Sequence, residues 1–285
     1  MATVLIPLPA KDFDPTEAAV SWRVLSSAGH TVLFATPDGT RSFADDLMIS
    51  GEGLDPWGFV PGLRKLKVMG AILRANAEGR AAYTELERDA AFLAPTRYDA
   101  LGTVRFDGVL LPGGHRARGM RPYLESDILQ SLVVRAFEQN AKVAAVCHGV
   151  LLAARSISPR TSRSVLHGRR TTSLTWSQEH LAANLARVTR FWDGSYYRTY
   201  VEKPGEPCGY MGVEAEVTRA LAKPDDYVNV PKDAPDYARK TDGRHRDTMD
   251  DARPAFVVRD GQYLSARWPG DVHTFAKTFA GMLAE

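Results

Sequence analysis

Cysteine is scarce in this sequence, because only Cys147 and Cys208 occur among 285 residues. Two cysteines do not make a disulfide framework, and a chain of this length can bury a sizeable core without one. Long apolar runs are missing too. The first run, Val4 to Leu8, has no basic segment before it and is too short for a signal peptide, and no run approaches the roughly 18 residues of a membrane span. We therefore expect a soluble, cytoplasmic protein with no membrane partner.

An excess of one charge is also lacking, since the formal net charge is only +2. The short basic clusters are interleaved with acidic residues and comprise Arg163, Arg169 and Arg170, and then Lys240, Arg244 and Arg246. A nucleic-acid surface needs a concentrated positive face. We interpret these side chains as solvated surface and expect no nucleic-acid partner.

Sequence motifs for metal ions and nucleotides are absent. The seven histidines show no paired spacing or HxxEH pattern, and there is no CxxC. No GxGxxG follows a predicted strand, and no GxxxxGK[ST] occurs. We expect neither a metal nor a cofactor.

What the sequence does contain is, first, a βαβ unit. Residues Thr3–Leu8 are typical of a buried strand, and a helix is predicted to open near Asp14-Pro15, with proline suited to the first turn. Gly29 ends that helix, and Thr31–Ala35 is a second strand. This order predicts a parallel sheet with helices on its faces.

Further strands and helices follow, with two interruptions. Residues 40–100 predict a helical insertion, with a pattern such as Arg80–Leu93, and residues 190–250 predict an irregular one. The other predicted elements are strand Asp107–Leu111, helix Ser126–Asn140, strand Val143–Val146, strand Gly168–Thr175, strands Ala255–Val258 and Tyr263–Ala266, and a last helix from Asp271. We predict a single α/β domain over residues 1–285. Its doubly wound, mostly parallel sheet is flanked by helices as in flavodoxin-like sandwiches, which bind ligands at the carboxyl ends of the strands.

Cys147 lies where a predicted strand turns into a predicted helix. It follows the buried run Val143–Val146 and precedes Gly149 and an Ala/Leu-rich pattern. A side chain at such an elbow is held above the sheet and needs small neighbours. The helix amides favour the thiolate, and His148 could supply a base or a cation. We interpret Cys147 as a nucleophile, with a buried structural cysteine as the alternative.

A Gly-Gly turn follows another predicted strand, in FDGVLLPGGH. Gly113 and Gly114 expose backbone N–H groups, and the amides of Gly114 and His148 could form an oxyanion hole. Glu17, in the first helical turn, is either a helix-dipole partner or a group beside the sulfur of Cys147. In the second case we expect Glu17 to stay protonated and to donate a hydrogen bond.

Three segments together resemble one family. FDGVLLPGGH, AAVCHG and DPTEAAVSWRVLSSAGHTVLFATPDG are similar to the ThiJ/PfpI superfamily, which has the class I glutamine amidotransferase-like fold. The greatest similarity is to the branch of glyoxalase III and heat-shock chaperones, over residues 2–39, 104–182 and the C-terminal strands. The resemblance implies a nucleophile at Cys147, an adjacent histidine at His148, and acids at Glu17 and Glu179. For Glu179, a surface charge that opens a helix near Ser177 is the alternative.

The function that the resemblance implies is cofactor-independent chemistry on a small carbonyl compound, with a glyoxalase III or deglycase outcome, in a homodimer. A holdase chaperone, a redox sensor and an isonitrile hydratase are alternatives. A glutamine amidotransferase or cysteine peptidase is a further alternative. Amidotransferases of this fold use a histidine with a glutamate two positions later. None of the seven histidines here has a glutamate at that position.

The loop after the Gly-Gly turn departs from that branch. Arg116 and Met120 stand where glyoxalase-type proteins have glycine and an acid, so the sequence does not identify methylglyoxal as the substrate. Arg116, Arg118 and Arg121 either form a fork for a carboxylate or phosphate or are exposed loop residues. Three tryptophans in or near the insertions are candidates for closing the pocket: Trp57, Trp176 and Trp192.

Overall fold

A seven-stranded sheet organises the computed structural model, which describes residues 1–285. The strands of the whole chain are β1 (Thr3–Pro7), β2 (Lys11–Phe13), β3 (Thr31–Thr36), β4 (Phe43–Ala44), β5 (Thr96–Arg97), β6 (Gly108–Leu111), β7 (Lys142–Val146), β8 (Ile157–Ser158), β9 (Arg163–Ser164), β10 (Val257–Asp260) and β11 (Tyr263–Ala266). The pairs β2–β4 and β8–β9 lie outside the main sheet. The sheet has the order β10-β11-β7-β6-β1-β3-β5, and only the β10–β11 pair is antiparallel. The predicted fold class is confirmed.

Helices cover both faces of this sheet. They are α1 (Pro15–Ser27), α2 (Asp46–Ser50), α3 (Met69–Leu73), α4 (Ala77–Leu86), α5 (Ala90–Leu93), α6 (Ala117–Leu124), α7 (Asp127–Glu138), α8 (Gly149–Arg155), α9 (Trp176–Thr189), α10 (Val213–Ala220), α11 (Tyr237–Thr241) and α12 (Val272–Leu283). Helices α1 and α12 pack on one face, and α7 and α8 on the other. None of these helices has the length and apolar character needed to cross a membrane.

Alternate residues of the central strands enter two separate cores. In β7, Ala144 and Val146 join the core under α1 and α12, whereas Val143 and Ala145 join the core under α7 and α8. Because both faces are covered, the strand is a continuous apolar run rather than an alternating one. The carboxyl ends of β1, β6 and β7 meet at one edge of the sheet. The segments with Glu17, the Gly-Gly turn and Cys147 follow these ends, whereas Glu179 comes from α9.

One predicted strand, Gly168–Thr175, is wrong. Only a single bridge forms there, between Thr171 and Tyr227. The Thr172 amide donates instead to the hydroxyl of Ser265 (3.0 Å), and the Thr171 hydroxyl bonds the Tyr263 hydroxyl (3.1 Å). Side-chain hydroxyls therefore take the place of a ladder and keep this segment irregular.

The two segments that interrupt the α/β pattern are more ordered than their composition indicated. Residues 40–100 contain α2 to α5 and also two short strands that were not predicted. Strand β5 pairs with β3 at the sheet edge, and β4 pairs with β2. Residues 190–250 contain α10, whose buried Val213 and Val217 pack with α8. Tertiary packing gives these short elements their order, since none is long enough to be stable alone.

Candidate functional site

Cys147 occupies a sharp turn between β7 and α8. Its φ is +56°, a left-handed conformation that costs a non-glycine residue free energy, and its amide donates to the Ala266 carbonyl (3.1 Å). The backbone at Gly149, where α8 begins, lies very close to the end of β6. A Cβ on Gly149 would lie 2.1 Å from the Leu111 carbonyl oxygen, so only glycine fits there. The strain and the missing side chain together hold the sulfur above the ends of the strands.

The Cys147 thiol is surrounded by titratable groups. Its Sγ lies 3.5 Å from Nδ1 of His148. Burial raises the pKa of this thiol well above its usual value, and the nearby charges of Glu17 and Asp14 raise it further. The expected preference for the thiolate is therefore wrong for the resting protein, because burial and the two carboxylates outweigh the amides of α8.

Glu17 lies in the first turn of α1 and is fully buried. Asp14 caps this helix and accepts from the Thr16 and Glu17 amides (2.8 and 3.0 Å). Glu17 Oε2 accepts from the Gly113 amide (2.6 Å), and Oε1 has no hydrogen-bond partner. Burial, with the Asp14 charge in addition, raises the pKa of Glu17 well above its ordinary value, which is the direction expected from the sequence.

The Gly-Gly turn after β6 brings backbone donors to the same place. A Cβ on Gly113 would lie 2.7 Å from the His148 nitrogen and 3.0 Å from Glu17 Oε2, so this position also requires glycine. The amides of Gly114 and His148 donate to no backbone carbonyl. They are the donors available to a developing oxyanion.

His148 and Glu179, two residues that the resemblance implies for the site, do not bond each other. Burial lowers the pKa of His148 to about 3, so its ring is neutral near pH 7, and its Nε2 has no partner. Glu179 is buried in the first turn of α9, but it pairs with Arg198 Nε (2.8 Å) and accepts from the Val213 amide (2.9 Å). The partner of the Glu179 carboxylate is therefore the buried guanidinium of Arg198.

The arginines that follow the Gly-Gly turn do not form a fork for a ligand. Arg116 pairs with Asp12 and Asp45 (3.3 and 3.2 Å), and Arg118 bonds Asp12 through two nitrogens (2.6 and 2.8 Å). The predicted substrate-binding role of Arg116 is not supported, because its charge is already neutralised. Asp12, Asp45 and Asp46 are close enough together to hold a metal ion, but these arginines already neutralise them.

A cavity of about 620 Å³ opens over these groups. It is lined by five of the predicted site residues, Glu17, Gly114, Cys147, His148 and Glu179. The three tryptophans proposed to close it do not line it.

Other residues line the cavity that sequence reasoning missed. They include His115, Tyr197, Arg246 and Trp268. Arg246 had been interpreted as surface. The one available signal was the position of Trp268, two residues beyond the predicted strand Tyr263–Ala266.

Comparisons with known proteins identify the family and the fold of the chain. The family described as ThiJ/PfpI family-like matches residues 8–228, and a search of the curated proteins finds no match. Rapid Encystment Protein 24 KDa of Francisella tularensis is 14% identical, with a TM-score of 0.57 over 99% of each chain. Glyoxalase III of Candida albicans is 16% identical (TM-score 0.54, covering 98% of this chain and 96% of that one). DJ-1beta of Drosophila melanogaster is also 16% identical (TM-score 0.52, 99% and 90%).

These solved structures share the fold, and the family match extends over most of the sequence, including the segments around Glu17, the Gly-Gly turn and Cys147. The chain belongs to the ThiJ/PfpI family.

Proposed function

We propose that this protein is a cysteine-dependent enzyme that converts small α-oxoaldehydes to 2-hydroxy acids without a cofactor. The observation that carries the proposal is the meeting of Cys147, Glu17 and two amides that donate to no backbone carbonyl, those of Gly114 and His148, on one cavity. A nucleophile, a proton carrier and oxyanion donors are the groups that this reaction requires.

The first step is addition of the Cys147 sulfur to the aldehyde carbon. A carbon–sulfur bond forms, the carbonyl π bond breaks, and the thiol proton passes to the aldehyde oxygen, which gives a hemithioacetal. The amides of Gly114 and His148 stabilise the negative charge that develops on this oxygen. Because the thiol is protonated at rest, the attack and the proton transfer are coupled.

The second step moves a proton between the two adjacent carbons. In its ionised form, the Glu17 carboxylate takes the proton from the former aldehyde carbon and returns it to the neighbouring carbonyl carbon. The hydroxyl proton passes from the first oxygen to the second, which leaves the thioester of a 2-hydroxy acid. Water then cleaves the thioester, releases the 2-hydroxy acid and restores the thiol. The first carbon is oxidised and the second is reduced, so no outside oxidant is needed.

Glu17 suits the role of base better than His148. Burial raises the pKa of Glu17, which makes its carboxylate a stronger base, whereas burial lowers the pKa of His148 to about 3. His148 also has no carboxylate to orient it, because Glu179 pairs with Arg198. The arrangement supports proton transfer by Glu17 over a Cys-His-acid hydrolase mechanism.

The test is a panel of small aldehydes and α-oxoaldehydes, assayed with the wild type, Cys147→Ala and Cys208→Ala. The buried Cys147 is essential in this mechanism, and its loss should reduce kcat/KM at least about a thousandfold. The exposed Cys208 is the matched control and should be dispensable. Turnover that survives in Cys147→Ala with an unchanged circular dichroism spectrum would exclude the mechanism.

A further inference from the structure

The cavity contains one cationic side chain, Arg246, which comes from the segment between α11 and β10. It is half-buried, and its buried Nη1 has no hydrogen-bond partner. Leaving a buried guanidinium N–H without an acceptor costs free energy, and a ligand that supplies an acceptor recovers it.

The carboxylates closest to Arg246 have other partners. Asp14 caps α1, and Glu17 accepts from a backbone amide after β6. Asp247, the next residue in the chain, caps α12 and accepts from the Thr274 amide (2.6 Å). Asp14 and Glu17 interact electrostatically with the guanidinium but do not bond it. The Asp247 carboxylate, bonded to the start of α12, anchors the chain beside Arg246.

Trp268 adds a second unpaired donor. Its Nε1 is buried without a partner, and the Arg246 guanidinium carbon lies 4.9 Å from the centre of its ring. Trp268 follows β11 two residues after Ala266, whose carbonyl accepts from the Cys147 amide. The two donors therefore belong to the wall next to the nucleophile. Gln178 Nε2 is a third unpartnered donor on the same cavity.

We propose that the substrate is an α-oxoaldehyde with a carboxylate at its far end, and that Arg246 and Trp268 bind this carboxylate. The proposal rests on the proposed function and names its substrate class. A single guanidinium suits a singly charged carboxylate, and a planar fork binds it through two hydrogen bonds. The apolar side chains of Leu174, Leu181 and Leu185 line the cavity and suit the methylene groups between the two ends.

The test compares two substrates of the same carbon number, 4,5-dioxopentanoate and the neutral 2-oxopentanal. Each is assayed with the wild type, Arg246→Gln and Arg244→Gln. Arg244 is the matched control, because it is an exposed arginine two residues away. We expect the wild type and Arg244→Gln to prefer the carboxylate substrate in kcat/KM by roughly 10- to 150-fold, and Arg246→Gln to lose this preference.

Two outcomes separate this inference from the proposed function. Turnover of both substrates without a preference, or a preference that survives in Arg246→Gln, overturns the carboxylate site and leaves the proposed function intact. If the wild type turns over neither substrate, the proposed function fails, and calorimetric titration with glutarate decides the inference. Binding that weakens at least about tenfold in Arg246→Gln supports the site. Equal binding, or none, overturns it.

Discussion

The ionisation of Cys147 is decided by burial rather than by the helix behind it. A helix N-terminus stabilises a negative charge by about 0.3–1 kcal/mol. Burial can move a pKa by up to about 3–5 units, each worth about 1.4 kcal/mol. Two neighbouring carboxyl groups act in the same direction as burial. The sulfur is therefore a thiol at rest, and its reactivity depends on where its proton can go.

Glu17→Gln tests this balance at the level of one side chain. The Glu17 charge raises the pKa of the Cys147 thiol, so a neutral glutamine should lower it. Glutamine still offers an oxygen to the Gly113 amide and keeps the shape. In a Cys208→Ala background, the rate of iodoacetamide alkylation should then rise at a lower pH than in the parent. Turnover should fall about a hundredfold or more, because the proton carrier is lost.

The comparison with the parent separates the two roles of Glu17. Faster alkylation together with lost turnover fits a group that both raises the thiol pKa and carries the proton. An alkylation profile that coincides with that of the parent, or turnover close to the parent value, would contradict the assignment of Glu17.

At the scale of the elements, the sharp turn between β7 and α8 could be predicted from the sequence. The environment of Glu179 could not. The apolar run of β7 changes directly into the helical pattern of α8, and a parallel sheet brings the ends of β1 and β6 beside it. The partner of Glu179 is Arg198, which lies in an irregular segment between α9 and α10. No local period defines the position of such a segment, because tertiary contacts alone determine it.

The Glu179–Arg198 pair gives an element-level prediction. Burial raises the pKa of Glu179 to about 7, although Arg198 and the Val213 amide oppose this. In Arg198→Met the carboxylate has no cation beside it, so its pKa should rise further. An acid with a raised folded-state pKa destabilises the fold as pH increases through that pKa. We expect a loss of about 3–5 kcal/mol in the free energy of unfolding at pH 8.5, and a smaller loss at pH 5.5.

Urea unfolding at the two pH values measures this effect. The double variant Glu179→Gln/Arg198→Met removes the buried charge and should recover part of the stability at pH 8.5. Arg198 also bonds the partly exposed Glu202 (2.7 Å), and Glu202→Gln is the control for that contact. A loss in Arg198→Met that is equal at both pH values would show that the burial of the Glu179 charge is not its cause.

At the scale of the whole molecule, more of the fold than of the site could be predicted from the sequence. The core depends on patterns of period two and 3.6, which are local in sequence. The cavity depends on side chains from distant segments: Met48 and Leu73 come from the first insertion, and Tyr197 and Arg246 from the second. Tertiary contacts determine which of these residues reach the cavity. The local sequence around an arginine that lines the cavity therefore looks the same as the sequence around an arginine on the surface.

His273 joins both of these insertions to α12. It is buried at the start of α12, and its ring bonds Asp247 of the second insertion (3.2 Å) and Glu78 of the first (2.9 Å). Burial opposes its charged form, but the two carboxylates outweigh burial and raise the pKa of His273. A histidine with a raised folded-state pKa stabilises the fold below the unfolded value of about 6.5, and this contribution is lost as pH rises through the folded pKa.

His273→Gln should therefore destabilise the protein more in acid than in alkali. We expect a loss of about 1.5–3 kcal/mol in the free energy of unfolding at pH 5.5, measured by urea denaturation, and a clearly smaller loss at pH 9. His245→Gln is the matched control, because His245 also contacts a carboxylate, that of Asp242, but is exposed. A loss in His273→Gln that stays constant from pH 5.5 to 9 would mean that His273 joins the segments by packing alone and not through its charge.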